Sequence, residues 1–450
     1  MHGIGSEEDP RGTGILRRVL NNAGLLLGGK SAGGLMQIIT LAILARALGL
    51  EDFGNYSLVI AQALLLSGLI AVDSNQAIVR YGVLHLTAPA RRTLQTLFKT
   101  GTLLDLVAAG VATVGIVAIA PPLGARFGWS ADAVFLTQLC APVAFANMAS
   151  TANGMLRLLN RFDLLTMQTT VTPAARLLLA ASLALFDAPL AAYLLAWTAT
   201  AWIGAAVALT FAWREAGRLG LLMDLDCSVS LSPKRIPGFW KFAFLSHLNA
   251  SAVLVPRHLA VILIGGILGV QAAGVFKIGR DAGSAMMKPF MLFDQALYPE
   301  LARLVATGSW ARLTQVAVRS SGGAAALGLV LVLLMLALGP WLIGLIFGQD
   351  YVSAAPLLVM VGLAASIRGL ALAADPVLYA LGHAHLPLAA SAASSVVFVA
   401  VIAWQVPVHG LAGAGWAFIA MALLGAILSG LWAWRKVESV FAPKDRRHAK

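Results

Sequence analysis

The sequence predicts an all-α polytopic membrane protein, with about twelve transmembrane helices in two six-helix bundles related by a pseudo-two-fold axis along the membrane normal. Three observations predict this class. Of 450 residues, 59% are hydrophobic and 12% charged, and the mean hydropathy is +0.83. A soluble domain carries about 25% charge. Apolar runs of about 18 residues or more, long enough to cross the hydrocarbon core, recur along nearly the whole chain. The connections between them alternate sharply in charge.

In order, the runs fall at roughly 22–48, 54–79, 94–120, 131–156, 163–186, 189–213, 238–268, 271–302, 312–347, 354–382, 386–406 and 409–434. The charges around them fix the boundaries. Arg11, Arg17 and Arg18 precede the first run; Arg80, Arg91, Arg92 and Lys99 bracket the second connection; Arg157 and Arg161 sit in the fourth. The sixth connection carries Arg214, Arg218, Lys234 and Arg235, with Lys241 just beyond, and the eighth carries Arg303, with Arg312 and Arg319 just beyond. Arg435, Lys436, Lys444, Arg446, Arg447 and Lys450 follow the last run. The opposite set of connections holds only Arg46 and Arg126. Short loops rich in Lys and Arg stay in the cytoplasm, so both termini are expected there. The net charge of +12 is thus a topology signal, and no nucleic-acid partner is implied.

Residues 24–31, "GLLLGGKS", spell a G-x-x-x-x-G-K-S phosphate loop. Such a loop needs a buried strand before it and a helix after it, so that backbone N–H groups converge on phosphate. The preceding residues, "RRVLNNA", form no such strand, and no soluble segment is large enough for a nucleotide hydrolase. No cleavable signal peptide is expected, and residues 1–20 read as a polar cytoplasmic arm. Cys140 and Cys227 suggest neither a disulfide framework nor a zinc site, and no metal or other cofactor is expected.

The halves of the chain repeat. "LAILARALGLEDFGNYSLV" (41–59) aligns without gaps on "VILIGGILGVQAAGVFKIG" (261–279), an offset of 220 that pairs Gly49 with Gly269, Gly54 with Gly274 and Tyr56 with Phe276. "APLAAYLLAW" (188–197) similarly resembles "HGLAGAGWAF" (409–418). Six helices per half, both halves starting on one membrane side, make the repeats parallel. The expected organisation is an arm (1–20), an N-terminal lobe (21–213), a cytoplasmic connection (214–237), a C-terminal lobe (238–434) and a basic tail (435–450).

The stretch "ILARALGLEDFGNYSLVIAQALLLSGLIAVDSNQAIVRYG" (43–82) resembles the N-terminal signature of bacterial polysaccharide, O-antigen-type flippases. These form the oligosaccharide branch of the multidrug/oligosaccharidyl-lipid/polysaccharide exporter superfamily. A second resembling block is "GVFKIGRDAGSAMMKPFMLFDQALYPELARL" (274–304). The resemblance implies an inner-membrane protein of two six-helix bundles, a transporter and not an enzyme. It implies movement of a polyprenyl-diphosphate-linked oligosaccharide from the cytoplasmic to the outer leaflet, amid membrane lipids and in company with polysaccharide polymerase machinery. No binding residue transfers by motif.

A charge in hydrocarbon is costly, so the intramembrane ionisable residues are the candidate site. Lys277, Arg280, Asp281, Ser284 and Lys288 share one helical face. Three cations against one acid favour an anionic ligand, although Asp281 also has Lys277 and Lys288 in reach as ion-pair partners. Ser246, Asn249 and Arg257 form a stripe loosened by Pro256, and Arg176 follows "TPAA" near mid-membrane. Arg368 and Asp375 lie two turns apart on one predicted helix, too far for a direct pair without a partner between them. Lys30 shares a stripe with Gly33, Gly34 and Gln37, and either snorkels to the interface or faces a cavity. The candidates for a diphosphate are thus Lys30, Arg176, Arg257, Lys277, Arg280, Lys288 and Arg368; those for a coupling ion are Asp73, Asp105, Asp281 and Asp375. Glu300 reads as the structural partner of Arg303. Two rival functions remain in view. A drug–cation antiporter of the superfamily should line its cavity with acids and aromatics. A glycan polymerase or ligase should carry a sizeable outer loop, and the outer connections are short.

Overall fold

The computed structural model describes residues 13–71, 74–83, 91–221, 239–286, 297, 300–383 and 385–441; the side chains of 13–30 and of several residues within 239–255 are not among those described. Every regular element is helical: α1 (Thr13–Ile70), α2 (Ser74–Val83), α3 (Arg91–Phe127), α4 (Ala131–Cys140), α5 (Ala149–Leu158), α6 (Phe162–Leu185), α7 (Leu190–Arg218), α8 (Phe239–Leu268), α9 (Val270–Met286), α10 (Trp310–Phe347), α11 (Ala355–Gly369), α12 (Ala374–Ala380), α13 (His385–His409) and α14 (Leu411–Phe441). Among the described residues eight helical segments are long and apolar enough to cross a membrane. On α10, Leu329, Val330, Leu333 and Leu336 are each more than half exposed, as a lipid-facing surface requires.

Three predicted spans are interrupted. In the second, α1 ends at Ile70 and α2 begins at Ser74; the fourth passes through a 3-10 segment, Ala141–Met148, before α5; the tenth breaks at 370–373 before α12. Apolar periodicity does not report the departures at 141–148 and 370–373, because the side chains there stay apolar while the backbone leaves the α-helix. Freed backbone groups at membrane depth need partners from neighbouring elements, and side chains supply them here.

The chain forms two compact units. One comprises Met1–Thr40, Ile70–Val114 and Ala141–His247. Its core is built by Ile78, Leu94, Phe98, Met155 and Leu156 against an alanine stripe, Ala205, Ala208, Ala212 and Ala216, on α7. Small residues at that spacing let helix backbones approach closely. A Cβ on Gly154 would come 3.0 Å from the Asn75 carbonyl oxygen, and one on Gly101 would come 2.6 Å from the Thr151 hydroxyl. Arg161 closes the end of this unit, reaching Asp163 at 2.8 Å and Glu215 at 2.5 Å.

The other unit comprises Leu41–Leu69, Gly115–Cys140 and Leu248–Lys450. Leu58, Ile264, Phe276, Leu357, Phe398 and Ile402 belong to one buried cluster there. Within it the sequence repeat becomes geometry. Gly49 (φ 70°) and Gly269 (φ 92°), aligned at the offset of 220, both adopt the left-handed conformation and both end a helical run. The next aligned pair touches: a Cβ on Gly274 would lie 3.3 Å from the Gly54 Cα, and one on Gly54 would collide with the Val270 carbonyl. Any larger residue at either position would force the crossing apart.

The same end carries a reciprocal clamp. The last carbonyls of a helix have no partner within it. Arg46 Nε donates to the Ile346 carbonyl at 3.0 Å and its Nη2 donates to Leu345, capping α10 where Gly348 (φ 112°) ends it. In return, the Tyr351 hydroxyl donates to the carbonyls of Gly49 at 2.9 Å and Ala45 at 3.2 Å, capping the first run of α1. Phe53 packs edge-on to Tyr351 with ring centroids 5.7 Å apart.

Candidate functional site

The α9 charges lie next to a close helix packing. Gly279 and Gly283 press on α11, where a Cβ would meet the Ala354 carbonyl oxygen at 3.0 Å and Val361 at 3.0 Å. Phe276, on the same side, is fully buried. Lys277, Arg280 and Asp281 form one largely buried cluster beside that packing. Asp281 accepts from Lys277 Nζ at 3.0 Å and from Arg280 Nη2 at 2.7 Å and Nε at 2.9 Å. Arg280 is 6% exposed; it also donates to the Arg257 backbone carbonyl at 2.5 Å, and its guanidinium lies 5.6 Å from the Phe276 ring centroid. That bond ties α9 to α8 one residue beyond Pro256, where proline has removed a helix hydrogen bond. The Arg257 side chain is exposed.

Lys277, Arg280 and Arg257 against Asp281 leave two net positive charges, four residues held within two helices. The ion pairs fix Lys277 and Arg280 in place; Arg257, which has no carboxylate bonded to it among the described residues, presents its charge outward. A preorganised cationic cluster of this kind suits a multivalent anion, since Arg binds phosphate oxygens bidentately and Lys as a point charge.

Arg368 and Asp375 pair directly at 2.7 Å, contrary to the expectation that a third group must bridge them. That expectation assumed one unbroken helix; the turn at 370–373 brings α12 back under the end of α11. Arg368 also fills the space beside Gly425, where any Cβ would collide with its Nη1. In the other unit, Arg176 Nε donates to Thr200 Oγ1 at 3.2 Å and the guanidinium lies 5.8 Å from the Trp197 ring. The aromatic face and the hydroxyl both favour the guanidinium there.

Asp105, 2% exposed, accepts the Thr151 N–H at 2.8 Å, while Thr151 donates its hydroxyl to Ser74 at 3.0 Å. The carboxylate thus caps α5 where the 3-10 segment ends, and α5 begins beside the break that opens α2. Asn75 Oδ1 and Asn153 Oδ1 are buried near this junction without a protein hydrogen bond among the described residues. The expected Glu300–Arg303 pair is present at 3.7 Å. The side chain of Lys30, and Lys288 and Asp73 entirely, lie outside the described residues, as do the side chains of Ser246 and Asn249. Sequence reasoning missed the Arg46–Tyr351 clamp, because Arg46 was legible only as a loop charge. It also missed the Ser74–Thr151 contact, because neither break was visible.

The fold is all-α with helices long and apolar enough to cross a membrane, and the solved structures agree on it. The chain is similar to a multidrug resistance MATE family transporter of the MOP superfamily in an inward-facing conformation, with TM-score 0.76 and 13% identity over 91% of this chain and 96% of that one. The outward-facing conformation of a MATE family transporter of the MOP superfamily gives 0.62 at 15% identity over 93% and 96%. A MOP superfamily transporter from Pyrococcus furiosus, described as having a binding pocket of reverse polarity, gives 0.60 at 13% identity over 94% and 96%. Residues 19–305 match the family of polysaccharide biosynthesis proteins, and the chain belongs to that family. Among curated proteins it is 27% identical to the inner membrane protein YghQ of Escherichia coli (strain K12), over 76% of this chain and 96% of that one.

Proposed function

We propose that this chain is an alternating-access flippase. It moves a polyprenyl-diphosphate-linked oligosaccharide from the cytoplasmic to the outer leaflet of a bacterial inner membrane during surface polysaccharide synthesis. The observation that carries the proposal is the net positive charge of the α8–α9 cluster, held by internal pairs inside a chain of the polysaccharide biosynthesis family. The diphosphate docks on Arg257, Lys277 and Arg280, with Lys30, Arg176, Lys288 and Arg368 contributing along the path. The sugars occupy polar surface and the lipid chain stays in hydrocarbon. Both termini and the 214–237 connection are cytoplasmic, following the one-sided Lys/Arg pattern. The lobes at 21–213 and 238–434 rock against each other, and the product passes to polymerase machinery.

Asp105 is the coupling-ion residue this reading favours, because its carboxylate is 2% exposed and caps α5 at Thr151, the helix that also carries Asn153 with a buried amide oxygen lacking a partner among the described residues. Asp281 and Asp375 are committed to Arg and Lys partners, so taking up a proton there would release cations; Asp73 remains a further candidate.

The fold likeness favours one second reading, a cation-coupled multidrug antiporter. One experiment separates the two. Accumulation of unflipped lipid-linked glycan and resistance to cationic dyes are measured in a deletion strain carrying wild type or Arg280→Ala. Flippase function predicts that wild type clears the accumulated glycan, that Arg280→Ala at normal membrane levels does not, and that dye resistance is unchanged in both. Dye export by the wild type with no effect on glycan establishes the antiporter instead.

A further inference from the structure

One cavity of about 790 Å³ lies wholly within the second unit, among α10, α12, α14 and the 370–373 turn. Its lining is almost entirely Leu, Ile, Val, Ala and Gly, with Trp434 at one side. The few polar groups are already engaged or peripheral. Thr314 donates its hydroxyl to the Trp310 carbonyl at 3.2 Å, and Ser321 Oγ accepts the Ala373 N–H, freed by the helix break, at 3.4 Å. Glu438 remains, exposed on the last turns of α14. Such a surface offers nothing to a sugar and much to a hydrocarbon chain.

Two further observations point to the occupant. Gly322 and Gly430 line the cavity with nothing within 4 Å of where a Cβ would stand, so the space is built in and not a packing accident around one residue. Four cations flank the lining in sequence: Arg312 and Arg319 beside Leu313 and Val318, and Arg435 and Lys436 beside Trp434 and Val437. The three arginines are exposed. This is the end of the lobe that the Lys/Arg pattern assigns to the cytoplasm. An apolar slot with a basic rim is complementary to a lipid whose head is an anion.

We infer that this cavity is a lateral docking site in the cytoplasmic leaflet for the isoprenoid chain of the diphosphate-linked substrate. The inference rests on the function proposed above. The broken helix beside it links chain to charge: Ile367, Leu370 and Ala374 line the cavity, while Arg368 and Asp375, their neighbours, form the ion pair. A chain seated in the slot thus lies against the segment that holds Arg368.

The test fills the slot. Full-length protein in nanodiscs is titrated with a long-chain polyprenyl diphosphate and, separately, with inorganic pyrophosphate. Gly430→Phe and Gly322→Leu place bulk in open space, and each is expected to weaken the polyprenyl probe by about tenfold or more while leaving pyrophosphate unchanged. Gly323→Phe, on the same helix but off the lining and equally unobstructed, is the control and binds as wild type. Thermal melts exclude misfolding, and having two filling variants keeps the test decisive if one does not fold. Unchanged polyprenyl affinity in both overturns the site. So does displacement of the probe by phosphatidylglycerol vesicles at equal lipid concentration, which identifies an ordinary phospholipid groove. The proposed function fails separately: wild type unable to restore glycan export in a deletion strain sinks that reading, whereas normal export by both filling variants sinks only the docking site.

Discussion

The second unit uses glycine in two opposite ways. At the end carrying Arg46 and Tyr351, Gly54 and Gly274 are glycine because no room exists for a Cβ; at the other end, Gly322 and Gly430 are glycine with open space before them. The first end is closed by backbone contact and by hydrogen bonds that cap helix ends across the seam. The second holds a cavity of about 790 Å³ whose wall includes a broken helix. The difference teaches where the molecule is built to resist change and where it is built to receive something. Residue type alone does not distinguish the two, since both are glycines in apolar helices.

Gly54→Val breaks the closed end most. The side chain must displace the Val270 carbonyl, which belongs to backbone, so the whole crossing shifts. Overpacking a fitted contact costs about 1–3 kcal/mol and more where backbone must move. The expected outcome is loss of monodisperse protein on detergent gel filtration. A wild-type profile would show that the crossing yields and is no fixed seam.

Asp281→Ala tests the charge cluster that shares α9 with Gly274. It strands Lys277 and Arg280 without their carboxylate. Removing one partner of a buried ion pair costs roughly 3–5 kcal/mol, so melting temperature and membrane abundance both fall. Arg280→Ala leaves the Lys277–Asp281 pair intact and is expected to destabilise less. The reverse order would mean that Arg280 is there for packing and not for charge.

Smaller effects sharpen the clamp. Tyr351→Phe removes the donor to Ala45 and Gly49 in a buried setting and costs about 0.5–1.5 kcal/mol. Arg46→Ala, at an exposed position, costs about 1 kcal/mol or less. Because both brace one seam, the double variant should differ from the sum in thermal unfolding; strict additivity would show two independent caps.

The smallest effect belongs to the open end. Gly322→Ala meets no atom and sits in a regular helix, so stability rises by up to about 1 kcal/mol from lost unfolded-state freedom. A fall in the melting temperature would mean that the space is already occupied in the membrane.

The sequence by itself determined the class and the repeat. Each depends on local composition and spacing: apolar length sets the spans, and the offset of 220 placed Gly49 on Gly269 and Gly54 on Gly274 before any contact was known. It also placed Lys277, Arg280 and Asp281 on one face, because helical periodicity alone decides that. Tertiary structure decided what the periodicity cannot carry. The departures from the α-helix at 141–148 and 370–373 leave the hydropathy unchanged, so Arg368 meeting Asp375, and Asp105 capping α5, depend on where the backbone leaves the helix. The clamp of Arg46 on α10 and Tyr351 on α1 joins residues about 300 apart, a pairing set by helix ends meeting in space. Which glycine is crowded and which is free follows from the neighbour across the contact, and that neighbour lies in another part of the chain.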